Sequence, residues 1–356
     1  MNKSLKIAHV SMFAPSRCGL YEASRDMAKA DAIAGHIVYF VDVGTISGNK
    51  QEAPRVGQVD DRYGFAITTA DPRILQECDI IFMHQGMEDK HLVKCTCPLI
   101  WVVHGKPLDC FRPEQNGLKT SYSVYKEVST WQRTKYMLHF WKEYIPFWRP
   151  SFPDLKHIVL NYPCIDRERF NNIGDKYTIK DKGLYNVLIC DSIRADIDMF
   201  ELTIGCIEAA RQIKGLKFHF FAVQSPVKEC WKVLFRELDR LGAMGDINNR
   251  VLDMPSVYRA MDLTVSPNRI INRVVAESVC CGTPVLQETP AKGSNSVADY
   301  ACYIPDPQSV VEGLKLFVND FNNGQHHKDF VLDKAQAFNV DVYNKAINKV
   351  YNRIFD

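Results

Sequence analysis

Apolar and polar positions along this chain follow a strand–helix rhythm. Lys6 to Met12 (KIAHVSM) is an apolar run of strand length, and Leu20 to Ala34 carries apolar residues at helical spacing until Gly35 stops it. His36 to Val43 (HIVYFVDV) predicts a second strand. Asp79 to Met83 and Leu99 to Val103 predict two more, each running into a polar tip, His84-Gln-Gly86 and His104-Gly-Lys106. His157 to Asn161 predicts another, and the polar segment Asn171 to Lys182 reads as a linker. The rhythm resumes with strand Tyr185 to Cys190, helix Met199 to Lys214, strand Phe218 to Val223 and helix Lys228 to Leu241. Near the end, Cys302 to Ile304 predicts a strand, Gln308 to Asn322 a helix, and Val331 to Phe355 one long final helix. Short apolar runs separated by amphipathic helices predict parallel strands covered on both faces, so the fold class is α/β, in two doubly wound Rossmann-like halves.

The most informative stretch is Tyr258 to Thr289. A short helix ends at Met261-Asp262, strand Leu263 to Val265 runs into Ser266-Pro267, and the polar turn Asn268 to Asn272 opens a helix over 273–281. Gly282 is placed to end that helix, since glycine takes a left-handed cap without steric cost. Pro284 to Leu286 starts the next strand. Ligands bind such βαβ units outside the strand ends, where helices begin. Glu277 is the one carboxylate in an otherwise apolar helix and calls for a ligand or partner.

This stretch resembles the donor-binding signature of the retaining GT-B glycosyltransferases, the group that includes glycogen synthases and bacterial mannosyltransferases. Asp262, Ser266-Pro267, Glu277 and Cys281-Gly-Thr-Pro-Val285 carry the match. The resemblance implies two Rossmann-like domains with parallel sheets facing a central cleft, and Glu277 holding the nucleotide ribose. Where the family has a first Glu, eight residues before Glu277, this chain has Arg269. Asp166 and Phe170 match the family's interdomain connection. The implied domains are residues 1–170 on the acceptor side, 171–330 binding the donor, and 331–356 as a helix returning to the first domain.

Further roles follow from the same resemblance. His104 matches a histidine that contacts the transferred sugar, with His84 at the neighbouring strand end as second candidate. Gly19, at a helix N-terminus, fits a turn that approaches donor phosphate and acceptor; Arg17, His84 and Lys106 are acceptor-side candidates. That turn, FAPSRCGLYEAS, holds one glycine, not the three of a dinucleotide fingerprint. Arg194 stands for the family's diphosphate arginine, and no lysine follows it before the next helix. Asn268, Arg269 and Arg273, at the entrance of the Glu277 helix, are donor-side candidates, because a helix N-terminus favours a diphosphate. Catalytic roles fall to His104, Arg194 and Glu277.

Composition narrows the partners. The chain has 356 residues, enough for two ordinary domains, and a net charge of +2, which leaves any polyanion contact to a local patch. Its 12 cysteines show no paired framework, which favours a reducing compartment and buried thiols. Cys95-Thr-Cys97 and Cys280-Cys281 lack zinc-site spacing. Asp196 and Asp198 could hold a divalent metal, but they precede a helix and read as caps. No metal or bound cofactor is expected beyond a UDP- or GDP-linked sugar. No apolar run reaches membrane length, which predicts a cytoplasmic protein.

From Arg112 to Lys156 the sequence changes character. Tyr122, Tyr125, Trp131, Tyr136, Phe140, Trp141, Tyr144, Phe147, Trp148 and Phe152 crowd together, and between His104 and His157 nine Lys/Arg face five Asp/Glu. Three readings stand: helices packing on a sheet, an interfacial surface for a lipid-linked acceptor, and stacking faces for nucleic acid. The enzyme class predicted is a retaining, metal-independent glycosyltransferase using a nucleotide sugar. Its acceptor is a hydroxymethylated pyrimidine in DNA; alternatives are a glycan or lipid-linked saccharide, with peripheral membrane contact only in the lipid case. A nucleotide-sugar-binding protein without turnover is the third.

Overall fold

The computed structural model describes residues 4–11, 19–43, 65–84, 87, 89–104, 134–190, 199–222, 229–248, 253–290, 294–325 and 328–355. In chain order they form β1 (Lys6–Ser11), α1 (Gly19–Ile33), β2 (Ile37–Asp42), β3 (Ile67–Thr69), β4 (Ile80–Met83), β5 (Leu99–Val103), β6 (Thr134–His139), α2 (Ile145–Ser151) and β7 (Lys156–Val159). There follow β8 (Tyr185–Ile189), α3 (Met199–Gln212), β9 (Leu216–Phe221), α4 (Glu229–Arg240), β10 (Met244–Asn248), α5 (Met254–Ala260), β11 (Leu263–Ser266), α6 (Arg273–Cys280) and β12 (Val285–Glu288). The chain closes with β13 (Tyr300–Cys302), α7 (Pro307–Asn322), α8 (Lys328–Lys334) and α9 (Val340–Phe355).

Two units form. The first comprises residues 1–166 and 340–356, the second 167–339. The first is built on a seven-stranded sheet in the order β3-β2-β1-β4-β5-β6-β7, with every described pairing parallel. The order reverses direction at β1 and β4, the kind of switch point outside which α/β sheets bind ligands. Ile7, Phe82, Ile100, Val102 and Leu138 on one face pack with Tyr343, Ile347 and Val350 of α9. Asp166, at the unit's border, is buried and accepts from Arg25 (3.0 Å) and Lys29 (2.9 Å) of α1.

The second unit has a six-stranded parallel sheet in the order β10-β9-β8-β11-β12-β13. Its core joins Val187 and Ile189 of β8 and Phe218 and Phe220 of β9 to Leu202 and Cys206 of α3 and to Leu314 and Phe317 of α7. The segment expected as a linker lies against this unit. Tyr177 donates to Asp246 (3.1 Å), and Arg259 donates to the carbonyls of Asp175 (2.9 Å) and Asn171 (3.2 Å).

The final helix differs from expectation. It is three pieces, α8, a 3-10 turn over Ala335–Phe338, and α9, separated where Asn339 adopts an extended backbone (ψ 144°). Burial of Ala335 and Phe338 fixes that turn, and no proline or glycine marks it in the sequence. Strands β3, β6 and β10 had no prediction. β6 lies inside the aromatic run, where continuous large side chains mask its alternation, and β10 (MGDIN) is too polar and short to announce itself.

Candidate functional site

In the second unit, β11 ends at Ser266 and the chain turns through 267–272 into α6. Asn272 caps α6, its side chain accepting from the amide of Val275 at 3.0 Å. One turn into the helix stands Glu277, 7% exposed. Its Oε1 accepts from Arg273 Nε (2.8 Å) and lies 2.7 Å from Arg273 Nη2, an i,i+4 pair on one helix face. Its Oε2 accepts from the hydroxyl of Tyr258 at 3.1 Å. Burial first, then the Glu277 charge, pushes the Tyr258 phenol well above its ordinary range, so it remains a donor. The Arg273 guanidinium lies over the Phe170 ring (5.9 Å), and Phe170 packs on Tyr258 (6.4 Å between centroids). Glu277 is thereby held in one orientation as an acceptor.

The rest of the signature braces this turn. Asp262 accepts from the amide (2.8 Å) and side chain (3.0 Å) of Asn186, joining β11 to β8. Ser278 donates to Thr264 Oγ1 (2.7 Å) and Thr283 donates to the carbonyl of Tyr258 (2.6 Å), tying α6 to β11 and α5. Gly282 takes φ +77°, the left-handed cap its position predicts. Gln287 of β12, fully buried, donates to the carbonyls of Asn268 and Ile270, each at 2.7 Å, and so clamps the loop.

Of the donor-side candidates, Glu277, Arg273, Asn268 and Arg269 are brought to this one loop–helix junction. Arg273 is committed to Glu277. Arg269 lies 54% exposed and reaches back to Glu288 at the end of β12 (3.2 Å), whose carboxylate is buried and also accepts from the amide of Ile304. Glu288 was missed from sequence because its only signal, a carboxylate closing an apolar strand, is a common one.

In the first unit, His84 and His104 follow β4 and β5, adjacent strands of the sheet. His84 Nδ1 lies 2.7 Å from His104 Nε2, the two rings meeting edge to edge with centroids 5.0 Å apart. His84 is 1% exposed, and burial, then the neighbouring His104 and His9, hold its pKa well below the ordinary histidine value. His84 Nε2 in turn lies 2.9 Å from Nδ1 of His9, a core residue of β1 that sequence reasoning did not single out. Gly19 opens α1; among the described residues a Cβ there would meet no atom within 4 Å.

Arg17, Lys106 and Arg194 lie outside the described residues, as do Asp196 and Asp198. Within the aromatic run, Trp148, Phe152 and Met137 pack with Trp101 in a core cluster, while Phe147 is 63% exposed; Tyr122, Tyr125 and Trp131 lie outside the described residues. Among the described residues no cluster of His, Cys, Asp or Glu has the geometry of a metal site, and no helix is long and apolar enough to cross a membrane.

By sequence, no family model matches the chain, and no curated protein matches it. By structure the likeness spans whole chains. HepE from Anabaena, in complex with UDP and glucose, superposes with a TM-score of 0.64 at 14% identity, covering 98% of this chain and 100% of that one. Sucrose-phosphate synthase from Thermosynechococcus elongatus gives 0.73 at 13% identity, covering 99% of each. An α,α-trehalose-phosphate synthase (UDP-forming) from Burkholderia vietnamiensis gives 0.64 at 10% identity, also covering 99% of each. The fold is that of the GT-B glycosyltransferases, with two parallel-sheet α/β domains.

Proposed function

We propose that this chain is a glycosyltransferase that moves a sugar, with retention of anomeric configuration, from a nucleotide-sugar donor to an acceptor hydroxyl. The observation that carries the reading is Glu277, a buried carboxylate fixed by Arg273 and Tyr258 just inside the helix that follows β11. It stands where the resemblance puts the ribose clasp, in a fold shared with proteins whose structures hold UDP. An ionised carboxylate is acceptor-only, with about four lone-pair sites on its two oxygens, so ribose hydroxyls donating to it suit its chemistry.

The other roles follow from charge and placement. Arg273 orients Glu277, which leaves the donor diphosphate to Arg194, to Arg269 and to the amides at the start of α6, beside Asn268. Cations and a helix N-terminus can stabilise a departing diphosphate without metal. UDP is the first nucleotide to try, GDP the second. On the first unit, His104 takes the sugar contact, Gly19 is the candidate near the donor phosphate, and Arg17 and Lys106 are acceptor-side candidates; His84, being buried, acts through His104.

For the acceptor, the reading is a hydroxymethylated pyrimidine in DNA. Phe147 is exposed on α2, between exposed Lys142 and Arg149, and an aromatic face flanked by cations suits a base and its phosphates. Donor binding without turnover is the second reading, favoured by Arg269 standing where the family has a Glu. Incubation with a panel of nucleotide sugars and hydroxymethylated DNA, read by mass spectrometry, tests all of this. A hexose mass added to the base supports transfer to DNA, and the anomeric proton coupling of that product, read by NMR, reports retention or inversion. Donor hydrolysis without DNA product leaves glycan or lipid acceptors, and binding without hydrolysis selects the second reading.

A further inference from the structure

We propose that Tyr351, Asp31, His9 and His84 form a hydrogen-bonded relay through the core of the first unit that fixes His104 in a single tautomer, Nε2 protonated and Nδ1 the acceptor. The relay is a property of the chain; its use in sugar contact rests on the glycosyltransferase reading.

The contacts are consecutive. The Tyr351 hydroxyl, on α9, donates to Asp31 Oδ1 at 2.6 Å. Asp31 Oδ2 lies 2.9 Å from His9 Nε2, His9 Nδ1 2.9 Å from His84 Nε2, and His84 Nδ1 2.7 Å from His104 Nε2. Asp31, His9, His84 and Tyr351 are each no more than 1% exposed. Phe82 stacks on His9 (centroids 5.0 Å apart), and the three imidazoles meet edge to edge, 5.2 Å between the centroids of His9 and His84 and 5.0 Å between those of His84 and His104. Close packing around the buried His9 and His84 holds these two rings in place.

With every imidazole neutral, such a series has only two internally consistent directions. In a neutral imidazole one ring nitrogen donates and the other accepts, so each ring passes the choice of its neighbour onward. The choice is made at Asp31. Burial and the Asp31 charge hold the Tyr351 phenol well above its ordinary range, so it stays a donor toward the carboxylate. An ionised carboxylate accepts only, which puts the proton of His9 on Nε2 and its lone pair on Nδ1. His84 must then donate from Nε2 and accept at Nδ1, and His104 must donate from Nε2. The lone pair of His104 is then on Nδ1, the nitrogen that accepts. The opposite direction needs one more proton on the Asp31–His9 pair, on Asp31 Oδ2 or as a His9 imidazolium, and makes every histidine an Nδ1 donor. Burial also disfavours a cation in the middle, as the lowered His84 pKa reflects.

Asp31, His9, His84 and Tyr351 are thus positioning residues. The test is a long-range proton–nitrogen correlation spectrum of the full chain labelled with nitrogen-15 histidine at pH 7.5. The His104 signals are identified by their loss in His104→Gln. In the wild type, His104 should show only the Nε2-protonated form. Asp31→Asn offers an N–H toward His9 Nε2 and should turn the series around, moving the His104 proton to Nδ1. His84→Phe keeps a buried ring, cuts the relay, and should let His104 populate both tautomers, which covers the case in which Asp31→Asn does not fold. A mixed or Nδ1-protonated His104 in the wild type, or a tautomer unmoved by both variants, overturns the proposal. Donor hydrolysis on the same samples separates the two readings: the expected tautomers in a chain that neither binds nor hydrolyses donor keep the relay and remove the glycosyltransferase.

Discussion

The guanidinium of Arg269, half exposed, lies 3.2 Å from the buried carboxylate of Glu288 at the end of the neighbouring strand. The position where the resemblance implies a first Glu therefore holds the cation of an ion pair whose anion comes from β12. Arg269→Ala should cost about 1 kcal/mol or less, because water screens the exposed partner. Glu288→Ala should cost more, about 2 kcal/mol, since the buried amide of Ile304 loses its acceptor. Arg269→Glu would set two carboxylates together and should destabilise beyond either single change. Urea unfolding of the three variants checks the order.

Tyr258 holds the second oxygen of Glu277, so its hydroxyl should matter to donor affinity as well as to stability. Tyr258→Phe keeps the ring against Phe170 and removes one hydrogen bond to a charged group, worth about 1.5–3 kcal/mol. Titration calorimetry with UDP should show affinity lowered several-fold, with unfolding free energy lowered by about that amount. Unchanged affinity alongside lost stability would confine Tyr258 to the fold.

Acid should weaken the protein before its carboxylates titrate. Burial, then His157, pushes the pKa of His139 down to about 3, and burial lowers His84 and His219 as well. With folded values below the ordinary one of about 6.5, the unfolded chain binds more protons, so stability is full above that value and falls as pH drops. Each such histidine contributes a slope of up to about 1.4 kcal/mol per pH unit in that window. Urea midpoints at pH 7.5 and 5.5 should differ, and His139→Gln should make the difference smaller.

Gly282 has φ +77°, and a Cβ there would meet Asn172 and Leu332 at ordinary contact distances of 3.5–3.6 Å. The cost of Gly282→Ala is therefore conformational, about 1 kcal/mol, and not steric. A thermal melt should fall by a few degrees with the protein otherwise intact; a loss many times larger would mean the α6–β12 turn carries more than a cap.

Much of this architecture is legible in the sequence because parallel strands buried on both faces leave uninterrupted apolar runs. Val187 to Ile189 and Leu99 to Val103 are such runs, and Gly35 and Gly282 punctuate them. Lys135 and Tyr136 in β6 interrupt the pattern among large aromatics, and only pairing to β5 and β7 makes that segment a strand. The site divides in the same way. Glu277 was visible as a lone carboxylate on an apolar helix, and His84 and His104 as polar strand tips. Tyr258, Glu288, Gln287, His9, Asp31 and Tyr351 were not, because each acquires its role from a partner distant in sequence: Tyr351 and Asp31 are 320 residues apart.

The central claim is that Glu277 clasps the ribose of a nucleotide sugar, and calorimetric titration of UDP and UDP-glucose, then GDP and GDP-mannose, into wild type and Glu277→Gln tests it most directly. The account predicts saturable binding of one nucleotide to the wild type and at least tenfold weaker binding to Glu277→Gln at similar folded stability. No binding of either nucleotide to the wild type, or equal affinity in the variant, would contradict it.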